Sequence, residues 1–505
     1  MTTPQQMDER MATAVPAGAS AVRTGPLVVA AAVAVAFALR WVGLGAHPLG
    51  PGEASAAVAG WWTAAGGGAD LSRLSPRPDS ALLLGLDAVV FWLAGGATDL
   101  LARLTPALAG AGLALVALLR RPEPWRAVAP LALLLALDPW LVAASRWAEG
   151  AILAAAGAIA CHLALSRLWR AGAGTVFGEA ARRHWTIWAL GAGLVAVSGE
   201  VAWDLLPPLV AIAILAGGSG SGATVWGRPR AGVLVAVAVA AALVASTSGL
   251  VQWRGPGLVS WSLESWLASW SRSDHAAAAT LVAWSPLTWA YQSVLVALAL
   301  VGLLGRRPRS TEVDEVGAAP GREERAMVLL WLLWGVAVQL RSDSAAWLAL
   351  QLPLLVAAGL GIERLSARRL AGGPRRLPVA AALGGVVLAT SVAVAAAAAA
   401  PQQPRTLPAV RRLAADLAVL VARPARERPA VEIETQSGAV DAVLAWYLRG
   451  LPVDWATVAS NGEDAAERIV LRSRRVPVGE LPVVEAQPLY TIGLEGERMH
   501  VVELP

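Results

Sequence analysis

Positive charge recurs in every second gap between long apolar segments, all of it on arginine, because the sequence contains no lysine. Clusters stand at Arg120, Arg121 and Arg126, at Arg167, Arg170, Arg182 and Arg183, and at Arg228 and Arg230. Others follow at Arg306, Arg307, Arg309, Arg322 and Arg325, and at Arg364, Arg368, Arg369, Arg375 and Arg376. The gaps between these clusters carry few positive charges and several acids. Cationic loops are held on the cytoplasmic side during insertion, so this alternation specifies a multi-pass membrane protein and orients each loop.

Composition points the same way. Of 505 residues, 56% are hydrophobic and 15% charged, which excludes an ordinary soluble globule. A net charge of +5 would suggest nucleic acid as the partner of a soluble protein. Here the excess sits in short loops, where it orients helices and meets anionic headgroups, so the partner is the bilayer and nucleic acid is excluded. The single cysteine, Cys161, lies within an apolar segment and leaves no intrachain disulfide or cysteine cluster for zinc. Trp41, Trp125, Trp185, Trp253 and Trp284 stand near segment ends, as interfacial anchors do.

Residues 1–22 are small and polar and read as a disordered cytoplasmic tail. The apolar run 26–45 is too long for a signal-peptide core and reads as an uncleaved anchor. Further spans are expected at 103–119, 127–144, 150–167, 185–199, 203–217, 231–251, 282–304, 326–340, 344–362 and 377–399. A crossing needs about 20 helical residues, so the shorter ones extend into their flanks. The stretch 80–97 carries Asp87 and follows Pro76 and Pro78; as a crossing it would invert every later basic loop. It is read as a re-entrant or surface-lying helix on the outer face. The expected fold is an all-α polytopic membrane bundle of about eleven transmembrane helices plus outer-face juxtamembrane helices. It carries a small C-terminal extracytoplasmic α/β domain. Residues 23–400 form the membrane domain, with outer loops at 46–102 and 252–280, and residues 401–505 the outer domain. In the second loop, Leu263, Trp266, Leu267 and Trp270 mark one face of an interfacial helix. The C-terminal region opens with an amphipathic helix at 408–422, then has strands at 431–435 and 499–504 and a helical stretch at 438–449. The chain is placed in the plasma membrane, N-terminus inside and C-terminal domain outside.

Acids on the outer face are the candidates for chemistry. Glu53, in Pro51-Gly52-Glu53-Ala54, could accept a proton or bind a cation at the mouth of the bundle. It could equally be a helix-start residue favoured by the macrodipole. Glu149 follows Arg146, an arginine on the non-basic side that a phosphate or Glu149 itself would explain. Arg341 and Asp343 make a similar outer pair, and Glu200 and Asp204 flank Trp203 at another turn. Ionisable residues near membrane depth are functional candidates by default. There is no glycine-rich phosphate loop, HExxH or nucleophile elbow, and the histidines, His47 among them, are scattered. No cofactor is specified; a divalent cation between Glu53 and Glu149 is the one the acids leave open.

The ordered pattern is nonetheless familiar. Pro51-Gly52-Glu53-Ala54 is followed by Gly95-Gly96, then by Ala102-Arg103-Leu104-Thr105-Pro106-Ala107-Leu108-Ala109-Gly110. Leu135-Ala136-Leu137-Asp138-Pro139 leads into Ser145-Arg146; much later stand Ser342 and Leu350-Gln351-Leu352-Pro353, and Trp446-Tyr447-Leu448-Arg449 lies in the tail. The chain resembles the GT-C membrane glycosyltransferases, in particular the protein-mannosyltransferase-like and aminoarabinose-transferase-like group. The resemblance implies transfer of a sugar from a polyprenyl-phosphate donor to a glycan, lipid or protein acceptor on the outer face. In that family an Asp-Glu pair in the first outer loop supplies the base. By position the Asp falls on Gly52, and Glu53 matches the second member. A later acid of the second outer loop falls on Ala151, two residues after Glu149, and a late lysine is absent. Glu53 and Glu149 are therefore the expected catalytic residues, and Arg146, Arg341, Asp343, Arg103 and His47 the substrate-binding ones. The alternative is an inactive relative that binds lipid-linked glycan and assists its assembly or translocation. A transporter is disfavoured by the lack of paired internal repeats.

Overall fold

Runs of Ala, Leu and Val become helices here because a segment in hydrocarbon must satisfy every backbone N–H and C=O within itself. The computed structural model describes residues 18–66, 71–120, 125–170, 179–218, 228–247, 255–271, 286–305, 322–339 and 347–370. In the C-terminal region it describes 411, 414–415, 430–434, 440–449, 453–454, 468–473, 492–494 and 499–504. The first helices are α1 (Gly18–Trp41), α2 (Pro51–Ala64), α3 (Ala81–Ala94), α4 (Asp99–Val116), α5 (Trp125–Leu137), α6 (Pro139–Ala144) and α7 (Ala151–Arg170). Then come α8 (Glu179–Ala196), α9 (Val201–Gly218), α10 (Arg228–Ser246), α11 (Gly255–Ser271), α12 (Pro286–Leu304), α13 (Arg322–Gln339), α14 (Trp347–Leu370) and α15 (Ala442–Leu448).

Among the described residues, Asp99–Arg120, Ala151–Leu168 and Trp347–Leu365 are long and apolar enough to cross a membrane. Shorter apolar helices accompany them, including Pro26–Trp41, Val201–Ile214, Val235–Ser246 and Trp289–Leu304. The expected crossing at 127–144 is divided. Asp138 ends α5 and caps α6, its Oδ1 accepting from the Leu141 N–H at 2.9 Å, with Pro139 at the first helical position. The crossing expected at 377–399 lies outside the described residues.

The core lies where α5, α7, α12, α13 and α14 meet, around the buried Leu131, Leu135, Ile152, Ile159, Trp331 and Leu355. Lipid gives no hydrophobic drive between helices, so small residues bring backbones together. A β-carbon on Gly361 of α14 would stand 2.0 Å from the Leu298 carbonyl oxygen of α12. The outward faces are apolar too: Leu27, Ile214, Val233, Leu304 and Leu333 are exposed, as suits hydrocarbon.

Charges gather at two ends. Beyond the C-terminus of α4, Arg120 lies 3.3 Å from Glu363 and 3.9 Å from Glu324, and its carbonyl accepts from Arg167. These four residues come from different arginine-bearing gaps, so gaps of like charge pattern share an end of the bundle. At the opposite end, around the N-terminus of α4, both termini of α3 are found. Leu82 N–H donates to the Val197 carbonyl at 3.0 Å, and beyond α3 Asp99 opens α4 beside Trp446. The helix of 14 residues between these anchors starts and finishes on one side.

Helix α11 docks at that same end through a face other than the apolar one marked by Leu267 and Trp270. Leu258, Ser262 and Ser269 are buried, whereas Leu267 and Trp270 are exposed. Polar contacts fix it: Trp266 Nε1 donates to Asp204 Oδ1 at 2.7 Å, Ser262 Oγ accepts from Trp203 Nε1 at 3.1 Å, and Ser265 Oγ donates to Glu200 Oε2 at 3.5 Å. The apolar side is left for the membrane interface.

In the C-terminal region, β2 (Ala430–Glu434), β4 (Val453–Asp454), β5 (Arg468–Ser473), β6 (Ile492–Leu494) and β7 (Met499–Leu504) form one sheet, ordered β4-β2-β5-β7-β6. All pairs are parallel except β6 with β7. Of the helix expected at 408–422, Arg411, Ala414 and Ala415 are described and helical. A two-residue parallel pairing of β1 (Leu74–Ser75) with β3 (Val440–Asp441) ties this region to the segment between α2 and α3.

Candidate functional site

Helix α2 starts abruptly because Pro51 occupies its first position and Glu53, in the third, folds back on the backbone. Glu53 Oε2 accepts from the Gly50 N–H at 2.8 Å. The same carboxylate receives Arg103 from α4 in a two-pronged pair, Nε to Oε1 at 2.7 Å and Nη2 to Oε2 at 2.8 Å. Oε1 also accepts the Ala148 N–H at 2.9 Å. Both partners are buried, with side chains 4% and 6% exposed for Arg103 and Glu53. The remaining Arg103 donors go to the carbonyls of Leu44 (3.1 Å), His47 (2.8 Å) and Pro48 (3.0 Å). All five guanidinium N–H groups are thereby used.

This geometry places four of the expected site residues. Glu53 was the foreseen base, but both its oxygens are already committed to Arg103 and to backbone N–H groups. It organises the site. Arg103 was foreseen on a substrate, but its donors are spent on Glu53 and the loop 44–48. His47 contributes its carbonyl to that loop. Arg146, expected on a phosphate or on Glu149, turns to α1 instead: its Nη1 donates to the carbonyls of Leu39 at 2.9 Å and Val42 at 2.8 Å. Those are orphan acceptors at a helix C-terminus, where a cation is favoured. Arg341 and Asp343 lie outside the described residues.

Glu149 stands beside Glu53 in the turn between α6 and α7. Burial first, and then the charges of Asp79 and Glu53, push its carboxyl up to about 8. Asp79, which the sequence did not single out, is also raised by burial, against backbone hydrogen bonds from Ser80 and Glu200 that favour its ionised form. Three turns meet tightly here. A β-carbon on Gly150 would lie 2.0 Å from the Ser198 carbonyl oxygen and 2.6 Å from Ser80 Oγ. Gly199, at φ +106°, leaves room for the Asp79 carboxylate. Among the described residues, no group of three or more His, Cys, Asp or Glu side chains is placed to hold a metal ion. No step is assigned to a cation.

The C-terminal region closes the same end. Asp99 accepts from Trp446 Nε1 at 2.7 Å and from the Tyr447 hydroxyl at 3.1 Å, while that hydroxyl accepts the Leu49 N–H at 2.8 Å. Arg449 stacks over Trp446 at 3.8 Å and reaches the Ala97 carbonyl. The loop that binds Arg103 is thus pinned from the C-terminal side. A cavity of about 650 Å³ opens beside it, lined in part by Trp41, Gly45, Asp99, Arg411, Tyr447 and Arg449.

A deeper network was also missed. Asp138 Oδ2 accepts from the Tyr291 hydroxyl and Gln351 Nε2, both at 2.6 Å, and Gln292 donates to Gln351 at 2.9 Å. Nearby, the buried Arg40 donates to the Ala136 carbonyl at 2.8 Å. The cue available in the sequence was the polar residues Asp138 and Gln351 within apolar runs.

No protein-family model matches the sequence, and no curated protein does. Solved structures match the fold. ArnT from Cupriavidus metallidurans, bound to undecaprenyl phosphate, aligns with a TM-score of 0.55 at 16% identity, over 88% of this chain and 85% of that one. The archaeal oligosaccharyltransferase AglB from Archaeoglobus fulgidus, in complex with an inhibitory peptide and a dolichol-phosphate, aligns with a TM-score of 0.51 at 10% identity over 84% of this chain. The chain spans 63% of that AglB. A likeness at such identities is one of architecture: this is a membrane protein with the fold of the GT-C glycosyltransferases ArnT and AglB.

Proposed function

We propose that the protein is an integral membrane glycosyltransferase that moves a sugar from a polyprenyl-phosphate donor to an acceptor at the outer face. One observation carries the reading: Glu53 of the first outer loop bonds the Ala148 N–H of the second, at 2.9 Å, which brings Glu149 to the same end of the bundle. Acid–base chemistry on an acceptor needs such a carboxylate at the donor's side of the membrane. The ArnT and AglB structures hold polyprenyl-phosphate lipids within this architecture, which supports the donor class. In this reading Glu53 and Arg103 set the frame, and Glu149 faces the acceptor. Arg341 and Asp343, between α13 and α14 in the sequence, are assigned to the donor and acceptor polar groups, while Arg146 and the His47 backbone belong to the frame. The C-terminal domain lies outside the membrane and the N-terminus inside.

Gly52 favours a second reading, a non-catalytic relative that binds lipid-linked glycan, because the position before Glu53 carries no side chain. Purified protein in nanodiscs, offered hexose and pentose polyprenyl phosphates with peptide, lipid and glycan acceptors, separates the two. Release of polyprenyl phosphate with a glycosylated acceptor is the expected result. Donor binding without release is the outcome of the second reading.

A further inference from the structure

The acids at the outer end differ in one respect that the fold alone does not demand. Glu53 is held by Arg103 and two backbone N–H groups. Asp79 takes backbone N–H groups of Ser80 and Glu200. Asp99 is taken by Trp446 and Tyr447, and Asp204 by Trp266. Among the described residues, the Glu149 carboxylate meets no hydrogen-bond donor or cation, only the like charges of Asp79 and Glu53; Asp87, inside α3, also lacks a hydrogen-bond partner but is fully buried. Its Oε1 arches over the first turn of α2 and comes 3.6 Å from where a β-carbon on residue 52 would stand. Gly52 is exposed, so the space above it opens outward.

We infer that Glu149 takes the acceptor's proton from above Gly52, the bare backbone at residue 52 being what leaves its carboxylate open to the acceptor. The inference rests on the transferase reading and adds to it which group moves the proton. In the step, a Glu149 oxygen gains the proton of an acceptor O–H or N–H. The freed electron pair forms the bond to the anomeric carbon, and the bond from that carbon to the phosphate oxygen breaks. Polyprenyl phosphate departs with that electron pair, so no oxidant, reductant or further reactant is required.

The surroundings make Glu149 a stronger base than an ordinary carboxylate. Burial, Asp79 and Glu53 push it up to about 8, so transfer rises as pH climbs through that value and the group ionises. The charged neighbours are Glu53 from α2 with its partner Arg103 from α4, Asp79 ahead of α3, Glu200 ahead of α9, and Arg146 in the same turn. The sign for stability is opposite to that for activity. The folded protein holds this proton more tightly than an unfolded chain, so stability falls as pH rises from about 4.5 to about 8 and is level above.

Glu149→Gln keeps the shape and removes the titration. Transfer is expected to fall by about 100-fold or more, with polyprenyl-phosphate binding retained. The decline in thermal stability between pH 5 and 8 is expected to flatten in the same variant, a readout that needs no turnover. Gly52→Asp placed in the Glu149→Gln background should restore part of the rate, because its β-carbon would stand 3.6 Å from the Glu149 carboxylate oxygen and carries a carboxyl one bond further on. Glu149→Asp, with a shorter arm, should fall between. An active parent whose Glu149→Gln variant keeps its transfer rate overturns this inference alone, and so does an unchanged stability profile. A parent that turns over no polyprenyl donor overturns the transferase reading and this step with it.

Discussion

At the scale of single residues, the site turns on which carboxylates are already spoken for. Glu53 and Arg103 neutralise each other inside the protein, and the pair is tolerable because every donor and acceptor on it is satisfied. Removing one partner strands the other. Arg103→Ala should therefore cost about 3–5 kcal/mol, read as a lowered unfolding midpoint in detergent. Arg103→Lys should recover little, since an ammonium cannot make the two-pronged contact or reach three carbonyls at once. A loss of activity in Glu53→Gln without loss of stability would contradict the framing role. Which acid does chemistry was not legible from residue type, because Glu53 and Glu149 look alike in sequence and differ only in who surrounds them.

At the scale of elements, close approach decides what the turns can carry. The turns 79–80, 149–150 and 198–200 interlock where Gly150 admits the Ser198 carbonyl and Ser80. Gly150→Ala puts a β-carbon 2.0 Å from that oxygen, so the turn must shift. The expected cost is about 1–3 kcal/mol, with faster proteolysis of the outer turns as the check. Tyr447 plays the matching part from the C-terminal side, its hydroxyl bridging the Leu49 N–H and Asp99. Tyr447→Phe should lose about 1 kcal/mol and make the 44–50 loop easier to cleave. Helices α4, α7 and α14 were readable because long apolar runs leave the backbone no other choice. The break at Asp138 was readable only as a polar residue before proline. That its carboxylate gathers Tyr291 and Gln351 from distant helices was not readable at all.

At the scale of the whole molecule, one prediction tests the orientation. Cys161, the single native thiol, is buried, so cysteines placed at the exposed Ser72, Ser260 and Arg182 can be labelled against a silent background. Positions 72 and 260 should react with an impermeant reagent from outside the cell, and position 182 only after the membrane is opened. Reaction of 182 from outside would invert the placement of Glu149. The sequence by itself determined the membrane environment, the helical character and the grouping of the basic gaps, because insertion and backbone solvation act on local composition. Arg120, Arg167, Glu324 and Glu363 meeting at one end is that pattern carried into space. Only the tertiary structure decided that Glu53 is bound by Arg103, that Arg146 closes α1, and that Glu149 is left open above Gly52. Proton affinity and hydrogen-bond partnership depend on neighbours 50 to 107 residues away in the chain, and no local pattern encodes them.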